Sequence, residues 1–489
     1  MTTDAQDAPR GGDISLLLAL LPALLLLGLL TWNVFIYGDD ALSGSSQLSI
    51  LAVAGLTSAI AVWLGVDWET QLEQVTKSIS TTVPALLILL LVGSLASIWL
   101  LCGTVPTLVY YGLMLLSPAI FLFASTILCA VTALVSGSSW STSATIGVAL
   151  IGIGRALELP DGLIAGAVIS GAYFGDKVSP LSDTTNLAAA ATGTNVFDHI
   201  RYLFLTTGPS MLLSALVFLF IGLGLDGATP ASVADTMAQI DATFNVSGWL
   251  LLPPLLVLVL IVRGAAAVPA MVAGIVAGVF AAGIWQQDLI GRLLEAGLAG
   301  GVYELLMTTL FAGLSIPVDD PMLAELFGAS GMAGMLNTTW LIIAAMTFGG
   351  IYEASGLLDR IMSAVRSVVN GFFSLVACTG ATCLVTNVST SDQYMAVAVP
   401  GRMFSSLYRD MGYDSRNLSR TLEDTGTVTS VLVPWNTCGA YHASVLGVAT
   451  LTYLPYCFFN LISPLMTLLF AALMIRIRRL PEPSAAQAA

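Results

Sequence analysis

The sequence predicts an all-α polytopic membrane protein with about 12 transmembrane helices plus re-entrant or broken helices in two inverted repeats. Three observations predict this class. Only 9% of the 489 residues are charged and 56% are hydrophobic, whereas a soluble globular protein carries roughly a quarter charged residues. Apolar windows long enough to cross about 30 Å of hydrocarbon recur along the chain. Finally, polar interruptions occupy corresponding positions in its two halves.

The apolar windows predict the crossings in chain order. The window from Ile14 to Tyr37 exceeds the apolar region of a signal peptide, and its leader carries three aspartates against one arginine. We therefore expect it to be a retained first helix. All windows lie near residues 15–37, 48–66, 83–102, 107–135, 141–153, 162–174, 202–225, 247–285, 303–316, 334–352, 367–385, 427–450 and 453–475. The fourth and the eighth are long enough for two pieces each.

Composition excludes several classes of partner and site. The formal net charge is −14, and Lys77 and Lys177 are the only lysines. Such a balance argues against nucleic acid as a partner, and membrane lipid is the expected surrounding. The six cysteines are scattered without a CxxC pair, and the only histidines are His199 and His442. We therefore expect neither a disulfide framework nor a zinc site, and no cofactor.

The predicted domain organisation has five segments, and none of them is a soluble domain. They are N-terminal transmembrane helices at 1–80, a first inverted repeat at 81–226, connecting helices at 227–302, a second inverted repeat at 303–480 and a disordered tail at 481–489.

Orientation follows from the distribution of arginines. Arg476, Arg478 and Arg479 follow the last helix, and four more arginines crowd a predicted loop at 401–421. Cytoplasmic loops carry an excess of Lys and Arg, so the C-terminus is expected to be cytoplasmic. Pairing of these arginines with loop acids such as Asp410 and Asp414 would weaken that inference.

The two halves of the chain resemble one another in order. In the first, a hydroxyl-rich break at 136–142 leads to a short apolar helix at 144–153 and an interrupted segment at 175–186. In the second, a break at 386–392 leads to a short helix at 393–400, the arginine loop and a break at 434–439. Broken helices in corresponding positions indicate a transporter binding site. Chance similarity between two Ser- and Thr-rich kinks is the alternative.

The segment from Gly171 to Asn186 carries the most chemistry. Asp176 and Asp183 stand on either side of Pro180, which makes a continuous helix unfavourable. Carboxylates at membrane depth mark ion or proton pathways, because each can hold either a cation or a proton. The alternative is an interfacial loop with solvated acids. Hydroxyl and amide groups that can complete an oxygen shell are those of Thr184, Thr185 and Asn186, with Thr142 and Ser389 in the two preceding breaks.

Further candidates have competing interpretations. Lys177 is a structural counter-ion, an anion contact or a group that releases a proton when sodium binds. In the second half, Asp392, Glu423, Asp424 and Thr427 are candidates for a second cation site or for proton carriers. The alternatives are that Asp392 caps a helix and that the acidic pair 423–424 favours a helix N-terminus.

Four more side chains are ambiguous. Glu353 stands at a helix end, where it is either interfacial or functional. His442 lies in an apolar stretch, where it is either a satisfied core histidine or a proton relay. Trp140 and Trp435 lie inside the two breaks, where they either plug a pore or pack.

Several motifs resemble the NhaC family of sodium/proton antiporters. The clearest has the core GDKxSPLSDTTN at 175–186, and the resemblance covers roughly residues 80–475. The other matching stretches are SSWST at 138–142, GVALIGIG at 147–154, FGGIYE at 348–353, TSDQY at 390–394, PGRMF at 400–404, LSRTLEDTGTV at 418–428 and PWNTCGAY at 434–441. Ala189 is a departure, since proline is expected there in relatives.

The resemblance implies exchange of Na⁺ or Li⁺ for H⁺ in a prokaryotic cytoplasmic (inner) membrane by a protein that is not an enzyme. It also implies inverted repeats with re-entrant hairpins and a homodimer. By motif, the site residues are Ser139, Asp176, Asp183, Thr184, Asn186, Thr390, Asp392, Asp424 and Asn436. Sodium is expected at Asp176, Asp183, Asn186, Asp392 and Asn436. On this basis Asp183→Asn is expected to abolish sodium-dependent proton flux.

Three other functions are weighed against this one. The family includes a malate/lactate antiporter, so Na⁺- and H⁺-coupled organic acid exchange is the main alternative. A passive channel is disfavoured because selectivity filters use symmetric rings of ligands. An intramembrane enzyme is disfavoured because no nucleophile is paired with a base.

Overall fold

The computed structural model describes residues 14–37, 44–225, 230–318, 324 and 327–480. The acidic leader, Asp319 and Asp320, and the predicted disordered tail at 481–489 lie outside the described residues. Within them, eight helices are long and apolar enough to span a membrane, and two bent pairs bring the number to ten. The expected number of about 12 was higher because several apolar windows form half-length or bent pieces.

Three long helices open the structure. They are α1 (Leu16–Tyr37), α2 (Ser45–Trp63) and α3 (Trp68–Leu101). Asp67 caps α3, since its side chain accepts a hydrogen bond from the backbone N–H of Thr70 at 2.7 Å. This helix is 34 residues long, well beyond the window expected at 83–102, because its polar first turns continue the helix outside the apolar stretch.

The next helices contain the polar breaks of the first half of the chain. Its helices share short connections, and several end at a left-handed glycine such as Gly137 or Gly193. They are α4 (Thr104–Leu115), α5 (Pro118–Ser136), α6 (Ser139–Thr142), a π-helical turn (Ser143–Gly147), α7 (Val148–Ala156), α8 (Asp161–Val178), α9 (Asp183–Thr192) and α10 (Val196–Gly224).

A mostly apolar middle section joins the halves. It contains α11 (Pro230–Thr243), a 3₁₀ turn (Gly248–Leu251), α12 (Leu252–Val262), α13 (Ala267–Trp285), α14 (Gln287–Glu295), α15 (Val302–Phe311), two short strands and α16 (Gly331–Gly334). The strands β1 (Leu314–Ser315) and β2 (Gly328–Ala329) pair antiparallel, with Leu314 opposite Ala329. In this section α13 packs against both α3 and α12.

The second half repeats the order of interrupted helices. It contains α17 (Leu336–Ala354), α18 (Leu357–Arg366), α19 (Phe372–Ser389), α20 (Gln393–Asp410), α21 (Ser415–Leu422), a π-helical turn (Glu423–Thr427), a 3₁₀ turn (Ser430–Leu432), α22 (Thr437–Leu446), α23 (Thr450–Tyr453), a 3₁₀ turn (Leu454–Tyr456) and α24 (Phe458–Ala472). All four interruptions expected from sequence are present, between α5 and α6, between α8 and α9, between α19 and α20, and before α22.

The arginine loop at 401–421 is a correction. Residues 393–410 form one helix through Pro400, and only 411–414 separate it from α21. The helix continues because Val397, Phe404 and Tyr408 recur at helical spacing and are all buried. Arg402 and Arg409 therefore lie on α20, and the other two arginines of the expected loop lie on α21.

Close packing positions α8 against α5. A Cβ on Gly171 would lie 2.1 Å from the carbonyl oxygen of Thr126, and one on Gly175 would lie 2.1 Å from that of Ala130. These helices therefore approach at backbone distance, which only small residues permit. The two halves also interlock, because α9 packs against α20 while α22 packs against the π-helical turn before α7.

Candidate functional site

A fully buried ion pair joins the two halves. Lys177, on the last turn of α8, donates through Nζ to Oδ1 of Asp424, which lies in the π-helical turn after α21. Ser463 bridges the pair: its hydroxyl accepts from Lys177 at 2.9 Å and donates to Asp424 at 2.9 Å. Both charged side chains are fully buried. The position fits the counter-ion interpretation of Lys177.

The other oxygen of Asp424 is also occupied. Thr206 on α10 donates to Oδ2 at 2.7 Å, and Thr467 on α24 donates to the same atom. With Lys177 and Ser463, Asp424 has four donors from three different helices. Buried charges persist when they are paired and their remaining lone pairs accept hydrogen bonds, and Asp424 meets both conditions.

Asp176 is held by the break of the first half. Its Oδ2 accepts from the backbone N–H of Ser139 at 2.9 Å and from the hydroxyl of Ser139 at 2.7 Å. Ser139 begins α6, just after the hydroxyl-rich break. Asp176 therefore fastens the end of α8 to the start of the re-entrant segment, and these two donors compensate part of its charge.

Glu423 is the unsatisfied member of the cluster. Its side chain is fully buried, and neither carboxyl oxygen has a hydrogen-bond partner within the described part of the chain. The hydroxyl of Thr427, one turn on, is unpartnered as well. Both residues lie in a π-helical turn, a distortion that is frequent at functional sites. Placing Glu423 and Asp424 after α21 excludes the interpretation that they favour a helix N-terminus.

The carboxylates gather in one region. Asp176 lies within electrostatic range of Asp183 and of Glu423, and Tyr394 lies within range of Asp176, Asp183 and Asp392. The ends of α8 and α21 and the starts of α9 and α20 therefore converge.

The break of the second half is a network of amides. Asn387 donates to the carbonyl of Gly426 at 2.7 Å and to the hydroxyl of Thr429 at 3.0 Å. Asn436 donates to the backbone carbonyl of Asn387 at 3.1 Å and caps α22 by accepting from the N–H of Cys438 at 3.0 Å. Unwound backbone is thus satisfied inside the protein, as burial at membrane depth requires.

The tip between α19 and α20 is strained. Ser391 has φ +60, a left-handed conformation that is uncommon for a residue other than glycine, and its hydroxyl is unpartnered within the described residues. Asp392 then caps α20, accepting from the N–H of Met395 at 2.8 Å. The interpretation of Asp392 as a helix cap is therefore confirmed. Backbone strain such as that at Ser391 is typical of functional sites.

Asp392 also reaches a cavity of about 170 Å³. Thr390, Glu353, Lys77 and Arg402 line the same cavity. Part of its wall is formed by α17. This helix passes close to the tip at Gly349, where an added Cβ would lie only 2.7 Å from the carbonyl oxygen of Thr390. Glu353, ambiguous by sequence, thus faces the tip that carries Asp392.

The remaining predicted residues are less central. Asp183 and Asn186 lie on α9 with exposed side chains, and the Asn186 amide donates to the carbonyls of Pro180 at 3.0 Å and Ser182 at 2.7 Å. Thr185 donates to the Lys177 carbonyl at 2.9 Å, tying α9 to the end of α8. Thr142, Ser389 and Thr390 donate to carbonyls of the preceding turn, and Thr184 shares a hydrogen bond with Ser182.

Aromatic side chains from both halves pack at the first break. Trp140 stacks on Tyr441 with ring centroids 3.9 Å apart, and the Tyr441 hydroxyl donates to the Trp140 carbonyl at 3.1 Å. His442 is fully buried and shares a hydrogen bond with the Cys438 carbonyl through Nδ1 at 2.8 Å. Trp435 donates to the Val388 carbonyl at 2.9 Å. Both tryptophans therefore make specific packing or hydrogen-bond contacts at the breaks.

Sequence reasoning missed the hydroxyl donors around Asp424. Thr206, Ser463 and Thr467 lie in apolar helices far from the motifs. A usable signal existed for two of them, because Ser463 and Thr467 are four residues apart and so share one face of α24. The buried guanidinium of Arg420 was also missed, since it was expected in an exposed loop.

Within the described residues, no group of three or more His, Cys, Asp and Glu side chains is arranged to hold a metal ion. Sodium is a hard cation that takes oxygen ligands of mixed type, so this finding does not bear on it. Oxygens available near the cluster are those of Asp176 and of the unpartnered Glu423 and Thr427.

The family model and the similar proteins found by comparison are all described as antiporters. The group described as the Na⁺/H⁺ antiporter family matches residues 171–475. The Na(+)/H(+) antiporter NhaC of Alkalihalophilus pseudofirmus is 34% identical over 455 residues, covering 93% of this chain and 96% of that protein. The arginine/ornithine antiporter ArcD of Halobacterium salinarum is 33% identical, over 92% of this chain and 90% of that protein. The malate-2H(+)/Na(+)-lactate antiporter of Bacillus subtilis is 32% identical, over 85% and 87%.

Proposed function

The chain belongs to the Na⁺/H⁺ antiporter family, and we propose that it is a secondary active antiporter exchanging Na⁺ or Li⁺ for H⁺. It works in a prokaryotic cytoplasmic membrane with its C-terminus on the cytoplasmic side, in keeping with the arginines that follow α24. Sodium ions and protons are its transported substrates, and it performs no covalent chemistry.

The buried and unpartnered carboxyl of Glu423 carries this proposal. Lys177 lies within electrostatic range of Glu423. It donates its hydrogen bonds to Asp424 and Ser463, however, and neither oxygen of Glu423 has a donor among the described residues. An ionised carboxylate without a donor is very costly at membrane depth. The group is therefore stable in two forms, either protonated or coordinated to a cation. A site with those two alternatives, each excluding the other, binds Na⁺ and H⁺ in competition, and such competition is the basis of exchange.

The neighbouring charges make this competition effective. Lys177 neutralises Asp424, so the excess negative charge of the cluster rests on Asp176 and Glu423. Two carboxylates in electrostatic range resist simultaneous ionisation unless a cation lies between them. We assign Asp176 and Glu423 as the cation and proton ligands, with the hydroxyls of Ser139 and Thr427 beside them. The cavity lined by Asp392 is the entrance through which ions reach these ligands.

The two interrupted units form the inverted repeats at 81–226 and 303–480. The recurring order supports this assignment: α5, α6 with α7, α8, α9 and α10 correspond to α19, α20, α21, α22 and α24. In this correspondence Asp176 and Lys177 occupy the positions of Glu423 and Asp424. Exchange of access then follows from movement of these units around the shared cluster.

Organic acid exchange is the alternative, and the pairing of Lys177 disfavours it. A carboxylate substrate needs a cationic contact. Among the described residues, Lys177 is the lysine that contacts the carboxylate cluster, and it is already held by Asp424 and Ser463. The other lysine, Lys77, lines the cavity beside Asp392 rather than the cluster itself.

The test uses proteoliposomes with a pH-sensitive dye inside. Addition of NaCl or LiCl outside is expected to alkalinise the lumen, and KCl is not. Glu423→Gln is expected to abolish this response. Glu73→Gln, the same chemical change at an exposed position on α3, is expected to retain it.

Two outcomes would overturn the proposal. Lumenal pH changes that occur only after malate or lactate is added would make the cluster a carboxylate site with sodium as the coupling ion. A Glu423→Gln protein that folds and retains the full sodium response would remove Glu423 from the mechanism.

A further inference from the structure

A cavity of about 660 Å³ lies beside the start of α10, away from the carboxylate cluster. Four guanidinium groups line it, those of Arg201, Arg416, Arg476 and Arg478, against the single carboxylate of Asp198. We call this space the arginine cavity. Its charge is opposite to the net charge of −14 carried by the chain as a whole.

Most of this charge is uncompensated. Arg416 is held by Asp414, with Nε on Oδ1 and Nη2 on Oδ2, both at 2.8 Å. The side chains of Arg201, Arg476 and Arg478 form no hydrogen bond and no ion pair within the residues that the structure describes. Three guanidinium forks are therefore available to a ligand.

The backbone behind these arginines is fixed. The hydroxyl of Tyr202 donates to the Arg476 carbonyl at 3.0 Å, and the amide of Asn417 donates to the Arg478 carbonyl at 2.7 Å. Leu480 donates to the carbonyl of Gly412 at 2.9 Å. Arg476 has φ +49, a strained left-handed conformation that these contacts maintain. The segment after α24 is thus a strap that holds its side chains beside α10.

A fully buried arginine, Arg420, packs against one of the residues that line the arginine cavity. The Arg420 guanidinium is fully buried, and its three nitrogens have no hydrogen-bond acceptor within the described residues. It lies 4.7 Å from the ring centroid of Tyr202, which lines the arginine cavity. An unpaired buried cation is costly, and an anion bound in the adjacent cavity would offset part of that cost.

We propose that the arginine cavity binds the phosphate of an anionic phospholipid headgroup. Guanidinium forks match phosphate oxygens in pairs, and basic pockets between transmembrane helices on the cytoplasmic side bind such headgroups. A lipid is favoured over free phosphate because apolar side chains continue from the cavity along the same elements. Phe204, one turn further into α10 than Arg201, is 54% exposed, and Leu473 at the end of α24 is 61% exposed; acyl chains of a bound lipid would pack on these side chains.

The site is coupled to the carboxylate cluster by two short connections. The Tyr202 hydroxyl, whose single proton is shared with the Arg476 carbonyl, lies 2.6 Å from Oδ1 of Asn417 on α21. One turn along α10, Thr206 donates to Asp424. Occupancy of the cavity therefore affects α10, which donates to Asp424, and α21, which leads into the turn that carries Asp424.

The experiment measures binding to the full chain in detergent. The probes are dihexanoyl phosphatidylglycerol, dihexanoyl phosphatidylcholine, glycerol phosphate and inorganic phosphate. Arg201→Gln/Arg478→Gln is the test variant, and Arg263→Gln is the control at an exposed position elsewhere. We expect phosphatidylglycerol to bind at least about tenfold more tightly than phosphatidylcholine, a preference that the test variant loses and the control keeps.

The other outcomes overturn the proposal. Equal affinity for the two lipids would exclude recognition of headgroup charge, and so would a preference that survives in the test variant. Inorganic phosphate or glycerol phosphate binding as tightly as phosphatidylglycerol would make the ligand a free phosphate compound rather than a lipid. If the double variant fails to fold, Arg201→Gln alone decides the question, because Arg201 is exposed on α10 and has no backbone role in the strap.

Discussion

Lys177 and Asp424 are 247 residues apart in sequence and form an ion pair that is fully buried between the two halves of the chain. Each follows a second acidic residue of the cluster, Asp176 or Glu423. The pair therefore connects the end of α8 to the π-helical turn after α21, and it leaves the two neighbouring carboxylates without a lysine of their own.

Breaking this pair from one side is expected to be more damaging than removing both charges. Lys177→Met leaves Asp424 as a buried charge without its counter-ion, and Asp424→Asn does the same to Lys177. Each single variant should lose about 3–5 kcal/mol of stability. The double variant should lose less than the sum of the two, measured as the shift in unfolding temperature in one detergent. Additive losses would mean that the two charges do not stabilise one another in the membrane protein.

Asp176 and Asp183 are expected to differ in transport, although sequence treated them alike. Asp176 is buried and held by two donors from Ser139, whereas Asp183 is exposed at the start of α9. Asp176→Asn should reduce sodium-driven proton flux about tenfold or more, since loss of a charged contact costs about 1.5–3 kcal/mol. Asp183→Asn should retain most of the flux. The opposite order, measured in proteoliposomes at equal protein content, would return Asp183 to the centre of the site.

The close approach of α8 to α5 predicts a steric effect. Gly175→Ala would place a methyl group 2.1 Å from the Ala130 carbonyl oxygen, so overpacking should cost about 1–3 kcal/mol or more. The matched change Gly55→Ala lies on an exposed face of α2 with nothing within 4 Å. It should be neutral or slightly stabilising. Comparable unfolding temperatures for the two variants would show that α8 can shift without loss.

The ion pair between Asp414 and Arg416 at the start of α21 is expected to stabilise the protein in a way that depends on pH. The Arg416 side chain, which donates two hydrogen bonds to Asp414, holds the pKa of that carboxyl below its ordinary value of 3.8. The stabilisation is therefore present above pH 3.8 and is lost as pH falls through the folded-state pKa. Asp414→Asn should lower the unfolding temperature by a constant amount at neutral pH, and the difference from the native protein should shrink in acid. A difference that persists at pH 2 would assign the effect to capping of α21 rather than to charge.

Sequence and structure agree best where a break in hydrophobicity coincides with a helix terminator. Pro180 separates α8 from α9, and Asn436 begins α22 as a cap. Agreement fails where a polar surface was taken for a loop. Arg402 and Arg409 lie on α20, because a helix buried on one face tolerates charges on the other and Pro400 did not end it.

The candidate site shows the same division. The motifs contain Asp176, Lys177, Glu423 and Asp424, and their chemistry identified them as candidates. Their roles could not be separated from sequence, because the hydroxyls that satisfy Asp424 come from Thr206, Ser463 and Thr467 on helices without any motif. Nor could sequence tell that Asp183 and Asn186 are exposed.

The sequence by itself determined the class of this protein: its low charge and recurring apolar windows require a lipid environment, and polar residues inside those windows require internal partners. Only the tertiary structure decided which partner each polar group has. Local periodicity specifies helices and breaks, but a buried ion pair depends on how helices hundreds of residues apart are packed. For that reason Lys177 pairs with Asp424, whereas Glu423, one residue away, has no hydrogen-bond partner among the described residues and remains available to a proton or a cation.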